Sequence, residues 1–363
     1  MTAETISPQG SRARSYLSAF QDAYVRAAEP AEEFHDVPIG PEVLRLRFAG
    51  RSLEPLILPA VAHRTQAPGT LDPTLSIDIW DTESTGVIPP RFPWRPTDLG
   101  PHGEIDGHNQ DGVRTVFHGD LMSQDTDFRA LTLFDESARR GSFWVLGPDR
   151  LPWWERAAPL RTALHWGLRQ PHRLLVHAGA VGLGKGGVLL AGPGGSGKST
   201  SALAAVLAGF DYVGDDYVLL DLNGELPIAH RLYATAKLDP ATGSLLPELR
   251  DALSDVEGFD GEKAIVSIGT LYPERLRASI PLRAIVLPRI AGGGKGALRA
   301  GSPADALRAL GPSTIHQAPY DGGSALRPLG ELVRRLPIHV LELGDPAAVP
   351  PLLADLIDRE AGS

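Results

Sequence analysis

The residues best suited to do chemistry lie in one short stretch near the middle of the chain. Residues 192–199 read GPGGSGKS and satisfy the pattern G-x-x-x-x-G-K-[ST]. Glycines in such a loop let the backbone turn several N–H groups inward at the start of a helix, where a phosphate accepts hydrogen bonds from them. Lys198 would reach the β- and γ-phosphates of a nucleotide, and the hydroxyl of Ser199 would ligate Mg²⁺. The motif therefore predicts a nucleoside triphosphate site.

The elements on either side of this glycine-rich loop are the ones that such a site requires. VLLAG before it is an apolar run typical of a buried strand, and KSTSALAAVLA at 198–208 is an Ala-rich helix that Gly209 should end. A glycine turn made only for packing is the alternative, and the strand–loop–helix context favours nucleotide binding. The residues expected to contact the nucleotide are Gly192, Gly194, Gly195, Ser196, Gly197, Lys198, Ser199 and Thr200.

Two adjacent acids follow the loop, Asp215 and Asp216 in the apolar run YVGDDYVLL. Neighbouring carboxylates in such surroundings repel each other and lose hydration unless a cation or a proton offsets them. Because successive strand residues point to opposite sides, one acid can face a metal–nucleotide complex while the other faces an incoming hydroxyl. Two hypotheses stay open on this chemistry: a phosphoryl-transfer enzyme, or a nucleotidase in which one acid touches metal and the other activates water.

Composition limits the classes of function. The chain has 363 residues, enough for two domains, and 42% hydrophobic against 22% charged residues is ordinary for a globular protein. A net charge of −9 without a basic stripe argues against a nucleic-acid partner. The absence of cysteine excludes disulfides, thiolate metal sites and thiol catalysis. Neither a signal peptide nor a membrane-spanning run is apparent, so the sequence predicts a cytoplasmic protein with no membrane partner.

The chain is predicted to form two domains, residues 1–155 and 156–363. The first should be a smaller β-rich α+β unit, and its candidate strands are VLRLRFAG, SIDIWD, TVFHG and SFWVLG. Residues 86–112 are so rich in Pro and Gly that they should form an exposed loop. In the second, LLVHAGAVG and GGVLLAGPGG should be paired strands joined by a glycine turn, and Asn223-Gly224 should turn two antiparallel strands.

The second half of the chain resembles the catalytic domain of HPr serine kinase/phosphorylase and related kinase-like proteins of ribosomal peptide clusters, lasso peptides included. GPGGSGKS, the helix STSALAAVLAGF, YVGDD and His177 in LLVHAGAV carry the resemblance, with His177 standing 21 residues before Lys198. It covers about residues 172–222. The fold that it implies is α/β, a P-loop mixed-sheet kinase domain of the HPr kinase and PEP carboxykinase type, preceded by the smaller domain.

The resemblance also implies a role for each matching residue. Lys198 would be the phosphate lysine, Asp216 the base that takes the acceptor's proton and His177 a partner in the site, while Asp215 and Ser199 would hold metal. The implied cofactors are ATP and Mg²⁺. The implied activity is transfer of the γ-phosphoryl group to a serine or threonine hydroxyl of a peptide or protein, such as a lasso-type precursor peptide. A homo-oligomer is implied as well.

Two alternative functions remain open: a kinase for a small-molecule alcohol, and an ATP-binding regulatory module without catalysis. The chain also departs from the family, because AHRLYATAKLDPATG stands where a glutamate-bearing motif is expected and the phosphorolysis signature is missing. Asp239 is a candidate substitute ligand, although Asp before Pro is typical of a helix cap. Lys263 is a candidate to contact the γ-phosphate or the substrate, although a lysine beside a turn is commonly just solvated.

Overall fold

The computed structural model describes residues 8–61, 71–100, 102–105, 111–118, 130–151, 153–252, 264–290, 296–316, 320 and 322–362. The chain divides into two compact units, Met1–Leu168 and Arg169–Ser363. The predicted boundary after residue 155 therefore lies before the observed one. Helix Arg161–Leu168 accounts for the difference, because it packs on the sheet of the first unit, where Trp166 contacts Phe134.

The first unit is built on a six-stranded mixed sheet with strand order β1-β2-β3-β6-β5-β4. Its strands are β1 (Glu32–Ile39), β2 (Glu42–Ala49), β3 (Leu75–Asp81), β4 (Val113–His118), β5 (Ala130–Asp135) and β6 (Arg140–Val145), and its helices are α1 (Pro8–Ala28), α2 (Glu54–Val61), α3 (Thr82–Thr85), α4 (Trp153–Ala157) and α5 (Arg161–Leu168). β3 runs parallel to β2 and β6, and the other pairs are antiparallel. All four predicted strands are confirmed, as β2, β3, β4 and β6.

Part of the Pro- and Gly-rich stretch 86–112 is buried, contrary to the prediction of an exposed loop. Trp94 lies in the core, where its ring packs edge-on against Tyr16 of α1 at 5.4 Å between centroids. Phe92 joins the same cluster at 5.0 Å from Trp94. The aromatic rings outweigh the loop-forming composition because each one removes a large apolar area from water.

The second unit is a mixed α/β structure around a nine-stranded sheet. Seven of the strands follow the order β10-β8-β9-β15-β12-β11-β7, and the other two are β17, which also pairs with β15, and β16, which pairs with β17. Its strands are β7 (Arg173–Val176), β8 (Gly179–Leu183), β9 (Gly186–Leu190), β10 (Asp211–Gly214), β11 (Val218–Asp221), β12 (Ile228–Arg231), β13 (Thr235–Leu238), β14 (Ala264–Ser267), β15 (Ser279–Ile290), β16 (Ala297–Ala300) and β17 (Ile338–Leu343). β13 and β14 form a separate pair.

Helices cover both faces of this sheet. They are α6 (Lys198–Leu207), α7 (Pro240–Leu245), α8 (Pro247–Ala252), α9 (Ile268–Leu271), α10 (Pro303–His316), α11 (Leu326–Arg335) and α12 (Val349–Ala361). α10 and α11 bury Leu310 and Leu329 in the core on one face, while α6 and α12 bury Ala202 and Leu353 in the core on the other. None of the helices in the described parts of the chain is long and apolar enough to cross a membrane.

One predicted strand is divided in two. LLVHAGAVG does not run straight through, because its first part is β7, which pairs with β11, and its last part is β8, which pairs with β9 and β10. The predicted glycine turn between β8 and β9 is confirmed, with Gly184 at a φ of 60°, and the hairpin of β11 and β12 around Asn223-Gly224 is confirmed too. The interruption falls at His177 and Ala178, which leaves His177 at an end of the sheet rather than inside it.

Candidate active site

Three segments meet where neighbouring strands of the second sheet begin or end. β9 leads directly into the glycine-rich loop, residues 192–199, and α6 begins at Lys198. β8 pairs with β9 through Gly179 and Leu190, and with β10 through Ala180 and Gly214. The loop, the start of β8 and the residues that follow β10 are therefore neighbours, and these are the segments that carry the predicted site residues.

Two glycines give the loop its shape. Gly197 has a φ of 98°, in the left-handed region that side chains disfavour. A Cβ built on it would also lie 2.1 Å from Cδ1 of Leu343 in β17. At Gly192 a Cβ would lie 2.4 Å from the hydroxyl oxygen of Ser196. Gly197 therefore requires glycine because its backbone is left-handed and crowded, whereas a larger residue at Gly192 would force the Ser196 side chain to move.

The other two glycines border open space. A Cβ on Gly194 or Gly195 would meet no atom within 4 Å, and Gly195 has a φ of 74°. The loop thus presents bare backbone around an open concavity just before a helix of ten residues. Backbone N–H groups in that position form a favourable site for an anion. This stretch of bare backbone therefore has the chemistry of an anion site.

The Lys198 side chain is buried and turns back along the loop. Its ammonium donates hydrogen bonds to the carbonyl oxygens of Gly192 at 2.8 Å and Pro193 at 3.1 Å. These contacts hold the positive charge beside the backbone concavity. A fixed cation there adds to the anion-binding capacity of the backbone N–H groups.

Asp215 is buried next to this lysine. Its Oδ2 accepts a hydrogen bond from the backbone N–H of Lys237 at 3.2 Å, whereas its Oδ1 is buried and has no hydrogen-bond partner among the described residues. Burial, followed by the charge of Asp216, raises the pKa of Asp215 to about 6, although the Ser199 hydroxyl and the Lys198 ammonium pull it downward. A buried carboxylate oxygen without a partner is a natural ligand for a cation.

The donor set around Asp215 fits Mg²⁺. The carboxylate of Asp215 and the nearby hydroxyl of Ser199 are oxygen ligands of the kind that Mg²⁺ prefers, and this ion usually completes its shell with water and phosphate oxygens. Within the described residues, no group of three or more His, Cys, Asp or Glu could hold a metal by itself. Asp215 and Ser199 could supply two oxygen ligands of such an ion, and its other ligands would have to come from elsewhere.

Asp216 is held from both sides but stays accessible. Its Oδ1 accepts a hydrogen bond from Nε2 of His177 at 2.8 Å, and its Oδ2 accepts one from the ammonium of Lys237 at 2.6 Å. Burial alone would raise the pKa of Asp216, but the His177 hydrogen bond and the Lys237 charge outweigh it and hold that pKa well below the usual range. The side chain remains 22% exposed, so an ionised carboxylate is open to a reactant.

Lys237 is the residue that sequence reasoning missed. It lies on β13, between the buried residues Ala236 and Leu238, and contacts both acids, one through its ammonium and one through its backbone N–H. In the stretch AHRLYATAKLDPATG, sequence reasoning considers the missing glutamate and Asp239 but not this lysine. A lysine inside an otherwise apolar strand was the available signal, because burying an ammonium requires a nearby carboxylate.

The remaining candidates have different positions. The hydroxyl of Thr200 bonds with that of Thr242 at 2.8 Å, which ties α6 to α7. Asp239 caps α7 by accepting a hydrogen bond from the N–H of Thr242 at 2.7 Å, as its place before Pro predicted. Lys263 lies outside the described residues. The structure thus brings the loop, both acids and His177 together and adds Lys237.

Comparison with known proteins gives little further information. No protein-family model matches the chain, and no curated protein matches it. Among solved structures, the chain is similar to the Hpr(Ser) kinase/phosphatase from Coxiella burnetii, at 14% identity and a TM-score of 0.30 over 52% of this chain and 95% of that chain. The relationship is distant at these values, so the interpretation of the site rests on its own contacts and distances.

Proposed function

We propose that this protein is an ATP-dependent phosphotransferase whose acceptor is an alcohol, the serine or threonine hydroxyl of a peptide or protein. The observation that carries the proposal is the state of Asp216. This carboxylate is 22% exposed and fixed through both oxygens, by His177 and Lys237, near the glycine-rich loop. A nucleotide-binding loop alone is compatible with many functions. An accessible carboxylate held in a fixed orientation beside it is what an enzyme needs to orient the hydroxyl of an acceptor substrate and take its proton.

In the proposed reaction, the acceptor oxygen forms a bond to the γ-phosphorus while the bond from that phosphorus to the β,γ-bridging oxygen breaks. ADP leaves, and the hydroxyl proton passes to Asp216. Lys198 and the backbone of the loop stabilise charge on the phosphate oxygens, which is the main demand of phosphoryl transfer. Mg²⁺, held by Ser199 and Asp215, would neutralise further charge on those oxygens.

The low pKa of Asp216 makes it a weak base, and this suits the reaction. The transition state of phosphoryl transfer is loose, so the hydroxyl needs orientation more than early removal of its proton. His177 and Lys237 supply that orientation because each holds one carboxylate oxygen of Asp216. Both residues act by positioning the acid.

The acceptor class is supported by the resemblance of the loop, the acid pair and His177 to HPr kinase-type domains and to kinase-like proteins of ribosomal peptide clusters. A lasso-type precursor peptide is the acceptor to test first, and a small-molecule alcohol is the second. The first unit is our candidate for substrate recognition. The cytoplasm is the compartment in which both ATP and such a precursor are present.

Incubation of the purified protein with γ-labelled ATP, Mg²⁺ and candidate peptides tests the proposal. We expect label on a peptide serine or threonine, and loss of transfer in Asp216→Asn with ATP binding retained. Asp355→Asn, a change at an exposed position of α12, is the matched control and should leave transfer unchanged.

Undiminished transfer in Asp216→Asn would remove this residue from the mechanism. Release of inorganic phosphate without any labelled acceptor would instead indicate a nucleotidase. Tight ATP binding with neither product would leave only the regulatory module.

A further inference from the structure

The acid pair is accompanied by two lysines that balance its charge. Asp216 forms a salt bridge with the ammonium of Lys237 at 2.6 Å. Asp215 is buried, and the ammonium of Lys198 interacts with it electrostatically. His177, the other side chain bonded to Asp216, brings no negative charge. A cation that approached these groups by itself would therefore meet two carboxylates that the chain already compensates with two ammonium groups.

The strand that carries Lys237 fixes its position. β13 pairs with β14, and Lys237 lies opposite Ile265 in that pair. Its backbone N–H donates a hydrogen bond to Oδ2 of Asp215 at 3.2 Å, and its ammonium donates one to Oδ2 of Asp216 at 2.6 Å. A substitution of the side chain therefore removes the charge beside Asp216 while the backbone contact with Asp215 can remain.

The chain offers few ligands to a free cation at this place. Oδ1 of Asp215 is buried without a hydrogen-bond partner among the described residues, and the hydroxyl of Ser199 lies nearby. Both oxygens of Asp216 already accept hydrogen bonds, one from His177 and one from Lys237. Mg²⁺ demands a nearly octahedral shell of oxygen ligands. Two protein oxygens close to two ammonium groups make a poor site for a divalent cation on its own.

The polyphosphate of a nucleotide would supply what this place lacks. Its oxygens are ligands with which Mg²⁺ commonly completes its shell. Its negative charge would also offset the charge of the cation beside the two lysines. The glycine-rich loop, which favours an anion through its backbone N–H groups, lies next to the acid pair. Cation and polyphosphate are therefore favourable together where the cation alone is not.

We infer that Lys237 is an internal counter-cation: its ammonium neutralises the acid pair in the nucleotide-free protein, so that a divalent cation binds only together with the polyphosphate of a nucleotide. The inference rests on the proposed function for the nucleotide and adds the residue that controls when the metal enters. Lys237 thereby has a second role besides orienting Asp216. The two roles are measured differently, one by the rate of transfer and the other by the affinity for metal.

Binding of Mn²⁺ to the full chain without nucleotide, measured by electron paramagnetic resonance, tests the inference. We expect Lys237→Met to bind Mn²⁺ at least about tenfold more tightly than wild-type protein, because the acid pair then carries uncompensated charge. Lys185→Met removes the same charge at an exposed position in the turn between β8 and β9 and should match the wild type. Adding Asp215→Asn to Lys237→Met should abolish the gain.

Two further measurements separate the charge of Lys237 from its contribution to the fold. Lys237→Arg keeps the positive charge and should exclude Mn²⁺ as wild-type protein does. Mn²⁺ should raise the melting temperature of Lys237→Met and leave that of the wild type unchanged, because a ligand stabilises only the chain that binds it. A Lys237→Met chain that folds neither with nor without Mn²⁺ would contradict the inference, because the lysine would then be required for the fold.

The remaining outcomes separate this inference from the proposed function. If Lys237→Met and Lys185→Met have the same affinity for Mn²⁺, the counter-cation inference is wrong and the proposed function stands. The same holds if Mn²⁺ binds wild-type protein equally well with and without a non-hydrolysable ATP analogue. If the analogue does not bring Mn²⁺ onto wild-type protein at all, the proposed function fails and the inference fails with it.

Discussion

Asp78 in the first unit and Asp216 in the second each contact two basic side chains, yet their pKa values shift in opposite directions. Asp78 is fully buried on β3 and pairs with Arg140 at 2.6 Å and Arg47 at 3.2 Å, yet burial outweighs both arginines and raises its pKa. Asp216 has comparable partners but stays 22% exposed, and its pKa is lowered. Basic neighbours therefore do not set the direction of a pKa shift by themselves.

The difference separates a structural acid from an available one. Asp78 is covered by the side chains that neutralise it, and no reactant can reach it. Asp216 keeps one edge open to solvent while His177 and Lys237 fix its oxygens. If this comparison is right, changes around the second acid should impair activity with the fold intact, and changes around the first should affect stability alone.

The largest effect should come from Lys198→Met. Removing the ammonium while keeping the chain length should lower the transfer rate about 1,000-fold, because the phosphate charge that develops in the reaction loses its fixed cation. Circular dichroism should show an unchanged melting temperature. A variant that keeps more than a tenth of the wild-type rate, or that unfolds, would contradict the comparison.

Lys237→Met should lower the transfer rate by about 10- to 100-fold. Asp216 then loses the partner of its Oδ2 and is oriented only by His177. Lys185→Met, at an exposed position in the turn between β8 and β9, is the control in the same rate assay. Equal rates for the two variants would show that Lys237 has no positioning role.

Asp78→Asn should lower the free energy of unfolding by about 2 kcal/mol and leave the transfer rate unchanged. Arg47 and Arg140 lose a charged partner, which destabilises the fold. The loss is partly offset because residue 78 no longer has to bury a carboxylate charge. Denaturant titration, with tryptophan fluorescence as the probe, measures the free energy of unfolding of the first unit, since all six tryptophans lie there. If Asp78→Asn lost transfer activity but kept normal stability, Asp78 would have a role in the reaction, and it could no longer be contrasted with Asp216 as a purely structural acid.

The smallest effect concerns pH and His118 in the first unit. Burial, with a smaller contribution from Arg161, lowers the pKa of His118 to about 4. The unfolded chain takes up the proton near its usual pKa and the folded chain resists it, so stability is complete above about pH 6.5 and declines toward pH 4. The whole shift would correspond to about 3 kcal/mol, and because the His118 ring is only half-buried, so that water screens it, we expect about 1 kcal/mol across this window. His118→Gln should flatten the pH dependence of the denaturant midpoint, and an unchanged slope would exclude His118.

Local patterns in the sequence predicted much of the fold. β2, β3, β4 and β6 were found because their residues alternate or form short apolar runs, and α6 because it is Ala-rich and followed by glycine. β5 was missed because all six of its residues are buried, so no alternation marks it. β1 was missed because it is an acidic edge strand containing Pro38, a composition that disfavours strands.

The site was predictable to the extent that its residues are close together in the sequence. Lys198 and Ser199 belong to the loop and its helix, and the acid pair follows one strand later, in the short bend between β10 and β11 rather than on a strand as the sequence predicted. The contact of Lys237 with Asp216 depends on where β13 lies relative to β10. Such long-range placement is set by the packing of the whole sheet, which short patterns do not encode.

The contact of Leu343 with Gly197 has a consequence for biosynthesis. The turn of the glycine-rich loop is completed by a side chain from β17, almost 150 residues later in the sequence. During translation the loop leaves the ribosome long before this neighbour exists, and long-range contacts form late in folding. We therefore expect a nascent chain to acquire nucleotide affinity only after its last strand has emerged, so that fragments ending before it cannot sequester ATP.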